Sequence, residues 1–134
     1  MEKSLVLIKP DAVQRNLIGL IIALYEKEGL VVEKMIKLRP SKTQAAVHYQ
    51  DHQDKPFYPG LIESLTSSDI VAMVLQGDGA IEKVRAINGA TDPKQANPGT
   101  IRALYGQELP NNSVHASDSP ESADREIAIW FSTN

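Results

Sequence analysis

The sequence contains no cysteine, which removes disulfide frameworks, thiolate zinc sites and thiol nucleophiles from consideration. It also lacks a long apolar run: Leu5 to Ile8, near the N-terminus, is far too short for a signal peptide or a membrane span. A cytoplasmic location without membrane attachment is the expectation. Basic excess is missing as well. A formal net charge of −3 provides no global positive field for nucleic acid or anionic lipid, so neither is expected as a partner. There is no GxxxxGK[ST] sequence and no complete GxGxxG, because Gly77 and Gly79 have no third partner. Any bound nucleotide must therefore be held by side chains rather than by a glycine-rich cradle. Repeats, low-complexity tracts and linkers are absent too, and 134 residues with 42% apolar content suit one domain, residues 1–134.

What is present reads as alternating strands and helices. Leu5-Val6-Leu7-Ile8 is a strand buried on both faces, with Lys9 at its exit. Leu17 to Tyr25 has helical spacing and ends near Gly29. A strand over Leu30–Leu38 places its even positions on an apolar face, with Glu33 and Lys37 on a partly solvated one. Ser41 caps a helical segment through Ala45, Ala46 and Tyr49. The stretch Lys55 to Gly60 reads as a turn carrying two exposed aromatics, followed by a helix containing Leu61, Ile62 and Leu65. Asp69–Gln76 is a buried strand, and Gly79–Asn88 a short helix with Arg85 at the edge of its apolar stripe. Gly89 to Ser113 is long and rich in Gly, Pro, Asn and Asp, with one short helix at Thr100–Tyr105; long loops of this kind in small domains tend to carry function. Strands split by helices around a small sheet point to an α+β sandwich of the ferredoxin-like kind, a small antiparallel sheet with helices packed on it.

The C-terminal stretch NNSVHASDSPESADREIAIWF concentrates the chemistry. A short strand, Ser113–Ala116, delivers His115. A helix then starts at Ser119, with Pro120 at its first position and Glu121 in its first turn. Winding that helix puts Ala123, Ile127, Trp130, Ile129 and Phe131 on one face, and Glu126 falls inside the apolar arc. A buried carboxylate needs a donor, and His115 is a candidate. Two such residues alone also fit a half-buried ring and a glutamate that snorkels to water. Ser117, Asp118 and Ser119, beside the imidazole and at a helix N-terminus, favour an anion-handling site for covalent catalysis.

The strings IKPDAVQR (8–15), HY (48–49), KPFYPGL (55–61), VAMVL (71–75), RAINGATDP (85–93), NPGTIR (97–102) and NNSVHASDSPESADREI (111–127), in this order and spacing, resemble the nucleoside diphosphate kinase family over essentially the whole chain. The resemblance implies a ferredoxin-like fold. It also implies ping-pong transfer of a γ-phosphoryl group from nucleoside triphosphates to diphosphates through a phosphohistidine at His115, which attacks through Nδ1. Glu126 and Ser117 would support the ring. Lys9, Tyr49 and Asn112 would lie near the sugar and the transferred group, and Arg85, Thr91 and Arg102 on the phosphates. Phe57 would stack on the base with Leu61 beside it. Mg²⁺ would be held mainly by the nucleotide phosphates, with no direct protein ligand. The loop from Gly89, with Pro93, would border the site and join subunit contacts in a homo-oligomer, a tetramer by preference, with a dimer or hexamer as alternatives. Stacking on one aromatic without base-edge readers predicts broad base specificity.

Two positions depart from the family's usual pattern: Ala116 stands where glycine is general, and Asp92 where asparagine is frequent. A different constellation also needs weighing. His48 and His52 lie four apart with Asp51 between them, a spacing that can share a cation. The HExxH pattern is absent and His115 would have to approach as a third ligand, so a metal site is not the expected reading.

Overall fold

In the computed structural model, which describes residues 1–131, β1 (Glu2–Ile8) is a central strand of a four-stranded sheet. The chain continues through α1 (Pro10–Gln14), α2 (Ile18–Lys27), β2 (Val31–Leu38), α3 (Lys42–His48), α4 (Tyr58–Leu65), β3 (Ile70–Gly77), α5 (Ala80–Asn88), α6 (Ile101–Tyr105), β4 (Val114–Ala116) and α7 (Pro120–Trp130). Short 3₁₀ turns occupy Gln50–His52 and Pro93–Gln95. The sheet order is β2-β3-β1-β4 and every pairing is antiparallel, which is the ferredoxin-like arrangement. Residues 132–134 of the expected 1–134 domain lie outside the described residues.

Both faces of β1 are covered, which explains its unbroken apolar run. Val6 and Ile8 pack with Ile21, Tyr25, Val84 and Ile101 on one face, whereas Leu5 and Leu7 pack with Ala45, Tyr49, Leu65 and Trp130 on the other. Each such fully buried aliphatic side chain contributes about 1.5–3 kcal/mol. The register pairs Leu7 with His115, so the histidine is delivered to the face shared by α3, α4 and α7.

Three elements differ from the sequence reading. First, α1 follows β1 directly, with Pro10 at its first position; five residues are too few for a periodic signal. Second, α4 begins at Tyr58, so Tyr58-Pro59-Gly60 form its first turn rather than a preceding loop. Third, the even positions of β2 do not share one face. The register slips between Val32 and Lys34, and an extra residue in a strand inverts the alternation beyond it. Val32 therefore joins the core on one side of the sheet and Leu38 the core on the other, while Val31, Met35 and Ile36 are exposed along this edge strand.

Candidate active site

His115 is about one-quarter exposed, and Glu126 beneath it is buried. The Glu126 carboxylate, raised into the core by α7, has Oε1 3.0 Å from His115 Nε2 and accepts a hydrogen bond from Ser117 Oγ at 2.8 Å. The backbone N–H of Leu5 in turn donates to Ser117 Oγ at 3.1 Å. A carboxylate only accepts, so its bond to the ring assigns the proton to Nε2 and leaves Nδ1 as a lone pair. These contacts, with Arg125 Nη2 3.8 Å from Glu126 Oε2, compensate the burial of the charge.

Local sequence explains the placement. Ser119 accepts from the backbone N–H of Ser122 and Pro120 opens α7, fixing the helix phase that turns Glu126 inward. Just before β4, Ser113 is buried with φ 75°, a conformation that costs a non-glycine residue about 1 kcal/mol or more. It is held there because its carbonyl accepts from the Lys9 backbone N–H at 2.8 Å and its hydroxyl donates to Asp11 Oδ2 at 3.3 Å.

A cavity of about 1240 Å³ opens in front of His115, and Lys9, Tyr49, Phe57, Leu61, Arg85, Thr91, Arg102 and Asn112 all line it. Ser117 and Glu126 are not in its lining and lie behind the imidazole. Phe57, 53% exposed, and Leu61 belong to the α4 side, while Lys9, Arg85 and Arg102 bring cations from three other elements. Lys9 Nζ donates to the carbonyl of Pro110 at 2.6 Å and to Asn112 Oδ1 at 3.0 Å, and Asn112 Nδ2 donates to the carbonyl of Thr91 at 2.9 Å. This chain ties the long loop to the exit of β1. Burial pulls the Lys9 ammonium down to about 8, with the Arg102 charge adding to the effect and Asp11 opposing it. Burial likewise keeps the Tyr49 hydroxyl protonated, reinforced by the nearby Glu126 charge.

Arg102 donates to the carbonyls of Gly89 and Val114, both at 2.8 Å. Gly89 has φ 86°, and a Cβ there would stand 2.5 Å from Thr100 Oγ1, so the loop starts in a contact that only glycine permits. Asp92 Oδ1 accepts from the Lys94 backbone N–H at 3.0 Å, capping the 3₁₀ turn at Pro93, a task asparagine performs equally. Ala116 lines the cavity.

The sequence reading does not place one neighbour of His115 beside it. His48 is buried, its ring edge-on to that of His115 with centroids 4.4 Å apart and planes at 77°. The signal was available: Ala45, His48 and Tyr49 stand at i, i+3 and i+4 of α3, so the histidine shares the core-facing stripe. Ligand atoms of His48, His115 and Glu126 all lie within 4.8 Å of one another, donor types that suit zinc. Trp130 argues against a metal. Its indole N–H donates to His48 Nδ1 at 3.2 Å, and because an indole only donates, the proton of the neutral ring sits on Nε2. A metal at Nε2 would require a fully deprotonated ring. His52, the other member of the sequence-spaced pair, instead faces Phe57 at 5.7 Å between ring centroids.

A sequence model of the family described as Nucleoside diphosphate kinase matches residues 2–134. The chain belongs to the nucleoside diphosphate kinase family. It is 52% identical over 131 residues to the nucleoside diphosphate kinase of Clostridium perfringens (strain 13 / Type A), covering 98% of this chain and 92% of the relative. It is 47% identical over 132 residues to that of Archaeoglobus fulgidus, covering 98% and 87%. The solved nucleoside diphosphate kinase of Aquifex aeolicus superposes with a TM-score of 0.95 at 39% identity, covering 98% of this chain and 95% of that one. The Encephalitozoon cuniculi enzyme gives 0.97 at 35% identity, with 99% and 90% covered.

The cavity also fits the family's phosphate chemistry. Its lining carries Glu82 and Asp118 beside the cations, and Mg²⁺, which usually keeps several waters and binds substrate phosphates, would be held on the nucleotide with these carboxylates near its waters. Among the described residues, no helix is long and apolar enough to cross a membrane.

Proposed function

We propose that the chain, acting as one catalytic domain, transfers the γ-phosphoryl group of nucleoside triphosphates to nucleoside diphosphates through a covalent intermediate on His115. The observation that carries this reading is the 3.0 Å contact between His115 Nε2 and the buried Glu126, which leaves Nδ1 as the unprotonated nitrogen of a ring that lines the cavity. The Nδ1 lone pair attacks the γ-phosphorus, the bond to the bridging oxygen breaks, and the diphosphate departs with that oxygen's electron pair. The second half-reaction reverses these steps, a terminal oxygen of the incoming diphosphate taking the phosphoryl group back from nitrogen.

Lys9, Arg85 and Arg102 compensate phosphate charge, and Thr91 and Asn112 hydrogen-bond the phosphates and sugar. Tyr49 closes the wall beside the nucleophile, while Phe57 and Leu61 hold the base by its face. Mg²⁺, carried on the nucleotide, supplies further charge neutralisation. Most of the acceleration then comes from placement and electrostatics. Contact with only the π-face of the base supports broad base specificity.

Self-association is part of the proposal. Among the described residues nothing pairs with the outer edge of β2, and Val31, Met35 and Ile36 on it, with Leu20 on α2, are exposed, which supports burial against another copy. A tetramer is the preferred assembly. A cytoplasmic site of action, where nucleotides and Mg²⁺ are abundant, completes the reading.

The test is labelling. Protein mixed with Mg²⁺ and γ-labelled ATP should acquire label that is lost in acid, survives alkali and moves to unlabelled GDP, and His115→Ala should bind ATP without acquiring it. Intact ATP binding with no label on the native protein would reduce the chain to a nucleotide binder.

A further inference from the structure

We infer that His48 is a positioning residue for His115, clamped in one tautomer by Trp130 so that its ring fixes the orientation of the nucleophilic imidazole. This rests on the proposed role of His115. A single hydrogen bond from Nε2 to Glu126 leaves the imidazole free to swing about that contact, and a nucleophile that must attack in line cannot tolerate such freedom. The second restraint is the edge-on packing of His48, 4.4 Å away between ring centroids.

His48 is suited to this work by what surrounds it. It does not line the cavity, so it acts through His115 and not on the substrate. Burial, with the neighbouring His115 as the next cause, holds its pKa well below the ordinary histidine value and keeps it neutral. The Trp130 N–H occupies Nδ1, and Nε2 is buried without a hydrogen-bond partner among the described residues. Leaving a buried N–H unpaired is costly. A leucine at this inward position of α3 would fill the space without that cost but has no planar edge to set against the imidazole, so the ring points to a role beyond filling the core. The Trp130 ring, 5.6 Å from His48, backs it from α7, the helix that also carries Glu126. One helix thus carries the first restraint, Glu126, and the ring that backs the second.

Three variants separate the ring's shape from its N–H. His48→Phe keeps a ring, His48→Gln places an amide N–H near the position of Nε2, and Trp130→Phe removes the donor that fixes the tautomer. In single-turnover phosphorylation by ATP, His48→Gln, which has no ring, should lower the rate by about ten- to a hundredfold with nucleotide affinity changed less than about twofold. His48→Phe, which keeps a ring edge but loses the bond from Trp130, should retain more of the rate, and Trp130→Phe, which releases the clamp, should fall between His48→Gln and the native protein. In nucleotide-free protein, the His115 ring carbons should give one sharp set of NMR signals in the native protein, and broadened or doubled signals in His48→Gln. Sharp signals and an unchanged rate in His48→Gln would overturn the inference while leaving phosphotransfer intact. So would a rate in His48→Phe as low as in His48→Gln. If His48→Gln does not fold, a native rate in Trp130→Phe overturns it and a lowered rate with unchanged affinity supports it. A native protein that takes no phosphate refutes the proposed function separately, and the ring signals still report on the restraint.

Discussion

His115 Nε2 and Glu126 Oε1 lie 3.0 Å apart, and the same carboxylate oxygen accepts the Ser117 hydroxyl at 2.8 Å. The glutamate therefore sets the imidazole tautomer and is itself oriented by a serine that the Leu5 backbone N–H holds. Glu126→Gln preserves shape but removes the charge that stabilises the positive ring formed on phosphorylation. Loss of the carboxylate that orients a metal-bound histidine costs about ten- to a hundredfold, and the same orienting task is at stake here. The rate of His115 phosphorylation should fall by about that factor with nucleotide affinity nearly unchanged. Rapid-quench labelling checks this, and an unchanged rate would remove Glu126 from the mechanism.

Phe57 is 53% exposed in the free protein, so the fold gains little from its side chain and its truncation reads mainly on ligand. Removing an aromatic that stacks on a base costs about 1–3 kcal/mol. Phe57→Ala should therefore weaken ADP, GDP, CDP and UDP by comparable factors with little change in melting temperature. Equilibrium binding across the four would check it. A loss confined to one base would mean that Phe57 reads an edge rather than offering a face.

What could be read from the sequence divides along physical lines. The β1 run, the caps at Ser41 and Ser119 and the inward phase of Glu126 are local signals, each fixed by neighbours within a turn or two, and the structure has them where they were expected. The grouping of Lys9, Phe57, Arg85 and Arg102 around one cavity has no local signal and came only from the family resemblance. The β2 bulge was invisible because an inserted residue changes facing without changing composition. In the sequence His48 forms half of an i, i+4 pair with His52, yet in the fold it turns toward His115 and Trp130, partners far away in sequence. The covalent roles of these residues are chemistry, and only the labelling and rate measurements reach them.

Lys9 offers a test of ligand contact that does not depend on turnover. Burial lowers it from 10.5 to about 8, so the ammonium is present below that pH and is lost above it. An adjacent phosphate favours the ammonium, which means that bound nucleotide raises the pKa of Lys9 and that binding near pH 9 must take up a proton. Calorimetry of ADP binding in two buffers of different ionisation heat should show this uptake, and Lys9→Met should abolish it. Affinity for ADP should also fall as the pH rises through about 8 in the native protein but not in the variant. The free protein should show the complementary trend. The unfolded chain retains the Lys9 proton up to its ordinary value whereas the folded chain releases it from about 8, so between these values the unfolded state binds more protons and stability rises with pH. The gap amounts to roughly 3 kcal/mol at most, and it should be visible as a pH-dependent difference in denaturation midpoint between native protein and Lys9→Met. If native protein took up no proton near pH 9 while still binding ADP, Lys9 would not contact the phosphates, and its bonds to Pro110 and Asn112 would serve the loop alone.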